Sequence, residues 1–222
     1  VSAADLAVNQ WLFNGFEFSF PNASWKVLSE ETIKDKHLEN ELNQSEWLWI
    51  LDPLDGTKDF LQGSENYAVH LALLYKTKPV LGVVLIPERE ELWFGAEGIG
   101  SWYEGRDGAR KSVSFSTRND LSELILVASK NHRDQRLEKL INEFNFANSK
   151  EVGSVGCKVA TILRGEADVY ISLSGSTAPK DWDMAAPNAV LQYAGGSFTH
   201  ADGMLLTYKN SDNAQKGCLI AS

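Results

Sequence analysis

The sequence predicts a two-lobed, layered α/β protein, and three observations carry that expectation. Between residues 67 and 103, short apolar segments follow one another with turn residues between them, which is the pattern of an antiparallel meander. From residue 121 onward, apolar strand-like runs alternate with amphipathic stretches, as in α/β units. Around residues 105–120, Gly105-Arg106-Asp107-Gly108 and its polar neighbours interrupt the core pattern. The expected division is therefore a first lobe of residues 1–115 and a second of residues 116–222.

Taken in order, the chain opens on Val1-Ser2-Ala3-Ala4-Asp5 without an initiator Met, and a trimmed chain with an upstream segment is the expectation. Ser2 is a candidate N-cap, and Ala3 to Phe13 carries Leu6, Trp11 and Leu12 with helical character. Asp5 falls in the first turn, where a carboxylate complements the helix dipole. Trp25 to Leu28 reads as a short strand leading into Ser29-Glu30-Glu31, and residues 32–46 read as a polar loop. Trp47-Leu48-Trp49-Ile50-Leu51 reads as a buried strand ending at Asp52-Pro53. The meander follows as Tyr67–Tyr75, Val80–Ile86, Glu91–Gly95 and Gly100–Tyr103. In the second lobe, Leu124–Ala128 and Ala167–Leu173 read as strands, and Arg133–Phe144, Cys157–Leu163 and Asp183–Tyr193 as helices.

A formal charge of −9 argues against a partner such as a nucleic-acid polymer, which calls for a basic face. It is compatible with a small anionic substrate, because bound cations reverse the local field of an acidic site. Cys157 and Cys218 are the only cysteines, too few for a disulfide framework or a Cys-based zinc site. No apolar run has membrane-spanning length and no signal peptide is visible, so the expected setting is cytoplasmic, or an organelle if a transit segment was removed. His37, His70, His132 and His200 are scattered, and His70, inside a strand, reads as a satisfied core histidine.

The chemistry concentrates in Asp52-Pro53-Leu54-Asp55-Gly56-Thr57. A buried strand ending in bare carboxylates needs something to neutralise them. An EF-hand loop would require a Glu at its twelfth position, which here is Gly63. An aspartyl-phosphate phosphatase of the haloacid dehalogenase type has one residue between its aspartates, and here there are two. A plain turn accounts for Asp55-Gly56 but leaves Asp52 unexplained. Carboxylates and a backbone carbonyl suit Mg²⁺. Asp52, Asp55 and the Leu54 carbonyl are thus candidate ligands, with Glu30-Glu31 and Asp183 as further sources of charge.

With Trp182-Asp183-Met184-Ala185-Ala186 ahead of Gly195-Gly196, this stretch resembles the two signature motifs of the inositol monophosphatase-like superfamily. Ser29-Glu30-Glu31 and Val1-Ser2-Ala3-Ala4-Asp5 match its upstream motifs, in the same order along the whole chain. The resemblance implies an α/β/α/β/α sandwich of the inositol monophosphatase and fructose-1,6-bisphosphatase type, with the site between the lobes. It implies a Mg²⁺-dependent, Li⁺-inhibited phosphomonoesterase holding two or three ions through Glu30, Glu31, Asp52, Leu54, Asp55 and Asp183. Asp5 and Thr57 would orient or deprotonate the attacking water with Glu30 beside them, and Gly56 and Thr57 would cradle the phosphate. The family's usual helical segment upstream of the first motif is missing from the sequence.

Lys58-Asp59 after the Thr is similar to the 3′(2′),5′-bisphosphate nucleotidases, which remove the 3′-phosphate of 3′-phosphoadenosine 5′-phosphate. Ser129-Lys130-Asn131-His132 and Gly153-Ser154-Val155-Gly156-Cys157-Lys158 are similar to their second-lobe segments. That likeness implies substrate contacts from Ser129, His132, Ser154, Lys158 and Lys180. The Ala167–Leu173 segment lacks the Glu with which inositol enzymes bind a ring hydroxyl. Inositol monophosphate or fructose 1,6-bisphosphate is the alternative substrate, and a non-catalytic nucleotide-binding relative is the alternative class. A monomer or homodimer is expected.

Overall fold

The computed structural model describes every residue except 24–25, 34–40, 43, 131–134 and 175–177. The expected Trp25, His37, Asn131 and His132 therefore lie outside the described residues. The chain forms a seven-stranded and a five-stranded sheet in five layers with its helices.

Helix α1 (Ala3–Ser19) runs longer than the predicted Ala3–Phe13, and its cap is the predicted one. The Ser2 hydroxyl accepts from Ala4 and Asp5 N–H, and the Asp5 carboxylate accepts from Ser2 N–H, a reciprocal capping box. Its inner side meets the first sheet, with Phe16 and Trp49 rings 5.2 Å apart. That sheet follows chain order: β1 (Lys26–Ser29), β2 (Trp47–Asp55), β3 (Ala68–Tyr75), β4 (Lys78–Ile86), β5 (Glu91–Ala96), β6 (Gly100–Glu104) and β7 (Arg110–Ser112). β1 and β2 are parallel, and every later neighbour is antiparallel. β7 lies inside the expected boundary segment. It is wholly exposed and polar, so no hydrophobic alternation announces it.

The second sheet has the order β11-β12-β10-β8-β9, from β8 (Ile125–Ser129), β9 (Asn148–Val152), β10 (Val169–Ser174), β11 (Phe198–His200) and β12 (Gly217–Ala221). β8 pairs in parallel with β9 and β10, while β12 is antiparallel to β10 and β11. Sequence patterning missed β9, β11 and β12; β9 is the polar run Asn148-Ser149-Lys150-Glu151-Val152 and is held by ladder pairing rather than an apolar face. A short helix α2 (Thr57–Leu61) follows β2, and α3 (Gln135–Phe144) covers the outside of the second sheet. Helices α4 (Val155–Leu163) and α5 (Asp181–Tyr193) lie between the sheets.

The middle layer explains the composition of α5. Gly82 on β4 and Gly95 on β5 are cross-strand partners. A Cβ on Gly82 would lie 2.5 Å from the Ala186 carbonyl, and one on Gly95 2.7 Å from Val190 Cα. The two glycines make a flat patch on which Ala185, Ala186 and Ala189 let the helix backbone approach the sheet. The apolar core is continuous through this layer, from Leu48, Ile50 and Trp93 on one side to Val127, Tyr170 and Leu219 on the other. Each fully buried Leu or Ile there contributes about 1.5–3 kcal/mol. Among the described residues, no helix is long and apolar enough to cross a membrane.

Candidate metal centre and active site

β2 does not stop at Asp52, as predicted, but continues to Asp55 through an irregularity. Asp52 pairs with His70 and Asp55 with Ala68, and the register shifts between them. Pro53, with no N–H to give a ladder, sits in that shift. Asp52 Oδ1 turns back to accept the Leu54 N–H at 2.9 Å. Gly56 then takes φ of 93°, and a Cβ there would lie 2.8 Å from the Asn66 carbonyl, so the turn into α2 requires glycine.

Asp183 arrives from the first turn of α5, where its Oδ2 accepts the Lys180 N–H at 2.7 Å. Asp52, Asp55 and Asp183 then each present an oxygen within 4.8 Å of the others. Glu30 and Glu31 leave the end of β1 beside β2, the Glu30 N–H bonding the Leu51 carbonyl at 3.2 Å. Within this group Asp52, Asp183 and Glu30 have raised proton affinity. Burial, then Asp55, Asp183 and Glu30, hold Asp52 well above the usual carboxylate range. Burial and then Asp55 push Asp183 up to about 7. Glu30 rises through burial and then Glu31, Asp5 and Asp55.

Both carboxylate oxygens of Glu31 are buried with no hydrogen-bond partner among the described residues. An orphaned buried carboxylate beside an all-oxygen cluster is costly for a bare protein and suited to a hard divalent cation. The residues present fit a metal. Thr57 stands at the edge of the cluster: its hydroxyl lies 3.2 Å from Asp5 Oδ1 and 3.1 Å from the Leu54 carbonyl. Asp5, 1% exposed, thus caps its own helix with one oxygen and meets Thr57 with the other.

The expected substrate contacts fare unevenly. Ser129 is buried at the end of β8. Ser154 is 5% exposed, and its hydroxyl donates to Asp55 Oδ2 at 2.8 Å. Lys158 is neither a solvated helix lysine nor open to the site's surface: it is 4% exposed, with its ammonium 5.1 Å from the Tyr170 ring centroid. The Lys180 ammonium bonds the Asp212 carbonyl at 2.9 Å, while its backbone N–H serves Asp183.

Two contacts escaped the sequence reading. His70 is fully buried, and the core satisfaction expected of it is incomplete: among the described residues no close hydrogen bond reaches either ring nitrogen, and Nε2 stands 3.6 Å from Asp55 Oδ2. Burial pushes its pKa down, against the pull of Asp55 and the backbone of Trp182 and Asp183. A Cβ on Gly156 would lie 2.3 Å from His70 Nε2. Asp59, also fully buried, accepts from Lys130 Nζ at 3.1 Å and abuts Gly153, joining α2 to segments that follow β8 and β9. The glycines flanking Ser154 were the available signal, since glycine at a strand–helix junction marks close approach of another group.

Two sheets with helices between them and an oxygen-rich carboxylate cluster are shared with solved inositol monophosphatase structures, and with the relatives below they make this chain a metal-dependent phosphatase of that fold. The chain belongs to the inositol monophosphatase family, whose profile matches residues 1–222. It is 30% identical over 208 residues to the 3′(2′),5′-bisphosphate nucleotidase CysQ of Salmonella typhimurium, covering 94% of this chain and 79% of that one. The Escherichia coli K12 protein of the same name matches with the same identity and coverage. Among solved structures, CysQ from Bacteroides thetaiotaomicron superposes with a TM-score of 0.80 at 26% identity, covering 96% of this chain and 82% of that one. An IMPase from Thermotoga maritima gives 0.78 at 25% identity, covering 100% of this chain and 78% of that one.

Proposed function

We propose that this phosphatase removes the 3′-phosphate of 3′-phosphoadenosine 5′-phosphate, or of its sulfated relative, giving a 5′-phosphate product and inorganic phosphate. The observation that carries the reaction is the Asp5–Thr57 hydrogen bond beside the carboxylate trio. Glu30, Glu31, Asp52, Asp55, Asp183 and the Leu54 carbonyl would hold Mg²⁺, two or three ions in all. When bound, the ions supply activation of water near neutral pH and stabilisation of the attacking and leaving oxygens.

Thr57 Oγ1 carries one proton and has two acceptors in reach. With that proton given to Asp5, both hydroxyl lone pairs are free to accept a proton from water, and the Leu54 carbonyl is released for a cation. As a proton from water reaches Oγ1, the hydroxyl's own proton would pass to Asp5, so that the carboxylate is the final base and no charge rests on Thr57. Gly56 and Thr57 present backbone N–H groups at the head of α2 to the phosphate. In this reading residues 1–115 form a lobe that carries most of the machinery, and residues 116–222 a lobe that brings Asp183 and reads the substrate.

The choice of substrate rests on the likeness to proteins named bisphosphate nucleotidases. Lys58-Asp59 gains a physical meaning, because Asp59 anchors Lys130 at the head of the segment that includes His132. A cytoplasmic setting, as monomer or homodimer, belongs to the same reading and is in keeping with two free thiols. Phosphate release with Mg²⁺ should be fastest from 3′-phosphoadenosine 5′-phosphate and fall with Li⁺. Higher kcat/KM on inositol 1-phosphate or fructose 1,6-bisphosphate would move the assignment to those esters. No release from any of them by the folded chain would favour a non-catalytic relative.

A further inference from the structure

Asp55 is the member of the carboxylate trio most completely gripped by protein, and the grip comes from the other lobe. Its Oδ2 accepts the Ser154 hydroxyl at 2.8 Å and the Val155 N–H at 2.5 Å, and His70 Nε2 stands 3.6 Å away. Its Oδ1 meets no donor among the described residues. One oxygen is thus engaged by the protein while the other keeps no donor there, and Asp55 offers one carboxylate oxygen within 4.8 Å of those of Asp52 and Asp183.

The residue that supplies the hydroxyl pays a conformational penalty to do so. Ser154 has φ of 38° and ψ of 136°, a region that L residues seldom occupy. Strain of this kind persists where surrounding contacts over-determine it, and it gathers at functional sites. Here the contacts are specific. Gly153 is wedged against Asp59 Oδ2 and the Asn66 carbonyl, where a Cβ would come within 2.5 and 2.6 Å. Gly156 is wedged against His70. On its far side the Ser154 hydroxyl accepts the Cys157 N–H at 3.4 Å, a long and weak cap for α4. Capping alone does not account for the strain, since a relaxed Ser, Asn or Asp caps a helix with ordinary dihedrals.

We propose that Ser154 is a positioning residue for Asp55, fixing the rotation of its carboxylate so that Oδ1 faces the metal, and thereby making metal affinity depend on how the second lobe seats against the first. Ser154 then acts on the metal through Asp55 rather than on substrate. The inference rests on Asp55 being a metal ligand, as the proposed function requires. Outer partners that orient a ligating carboxylate are worth about 10–100-fold in metal affinity.

The test titrates Mg²⁺ into metal-free protein by calorimetry and, separately, records the melting temperature of the metal-free chain. Ser154→Gly removes the hydroxyl, relaxes the positive φ and keeps an acceptable N-cap residue. Its metal-free melting temperature should equal or exceed that of the parent, while its Mg²⁺ affinity falls by about tenfold. Ser154→Ala should lose affinity to the same extent and also melt lower. Unchanged Mg²⁺ affinity in a folded Ser154→Gly chain overturns the positioning role and leaves the metal assignment intact. A parent chain that takes up no Mg²⁺ overturns both.

Discussion

Asp5 shows how one side chain serves two levels of structure. With Oδ2 it closes the capping box of α1, and with Oδ1 it accepts from Thr57, a residue 52 positions away. The two roles separate in Asp5→Asn. The amide oxygen can still accept the Ser2 N–H, so the cap survives and stability should change by less than about 1 kcal/mol. The other atom becomes an N–H₂ that can only donate toward Thr57, so the hydroxyl proton loses its carboxylate acceptor and turns to the Leu54 carbonyl. The expected outcome is a kcat lower by about 10²–10⁴ with KM nearly unchanged, measured as phosphate release on whichever ester the parent cleaves. A variant with parental kcat removes Asp5 from the proton path. The helix cap was legible because N-cap and third position lie in one local window. The catalytic half of Asp5 was not, because no local window contains Thr57, and only the family resemblance pointed to it. His70 failed for the same reason. Strand periodicity places it on an inward face, but its neighbour Asp55 depends on the irregularity in β2, which slides the register between Asp52 and Asp55.

At the scale of elements, the position of Asp183 is set by how closely α5 lies on β4 and β5. Small residues face small residues there, and the helix backbone touches the Gly82–Gly95 pair. Gly82→Ala places a Cβ 2.5 Å from the Ala186 carbonyl and 2.7 Å from Ala189 Cβ. Backbone and a methyl cannot swing aside as a flexible side chain can, so α5 must lift. Overpacking of this kind costs about 1–3 kcal/mol, readable as a lower urea midpoint. The same lift moves Asp183 away from Asp52 and Asp55, so Mg²⁺ affinity should weaken as well. Parental stability and affinity would show that α5 is not seated by this contact. The sequence makes part of this visible, in a helix rich in alanine that follows Asp183 and in a glycine within an apolar strand. Their mutual contact is a tertiary fact, as is the edge placement of β7 and β9, whose polar residues carry no burial pattern to read.

Across the whole molecule, the meander and the alternation of strands and helices announce two sheets with helices between and outside them, because both patterns are local consequences of which faces are buried. What no local pattern contains is the summed field where β1, β2 and α5 bring their carboxylates together. Glu30, Asp52 and Asp183 all have raised proton affinity in the folded metal-free chain, Asp183 up to about 7 from 3.8. A carboxylate raised on folding stabilises the fold most fully below its unfolded pKa, and that contribution is lost as pH climbs through the folded value. For Asp183 the window runs from 3.8 to about 7. Asp168 and Glu166 have lowered values, so their contributions are complete above the unfolded 3.8 and 4.5 and do not change in the upper part of this window. His70 works the other way, since burial lowers it from 6.5 and its neutral form favours the fold more as pH rises toward that value. With Asp181, also raised by burial, four raised carboxylates against one lowered imidazole leave the metal-free chain less stable at about pH 7 than at about pH 5. Bound Mg²⁺ requires the ionised carboxylates and so removes the penalty in the same window. The difference in melting temperature between Mg²⁺-loaded and chelator-treated protein should therefore widen as pH rises from about 5 to about 7. A difference that is constant or narrows over that interval would mean that the carboxylates are not the groups the cation neutralises.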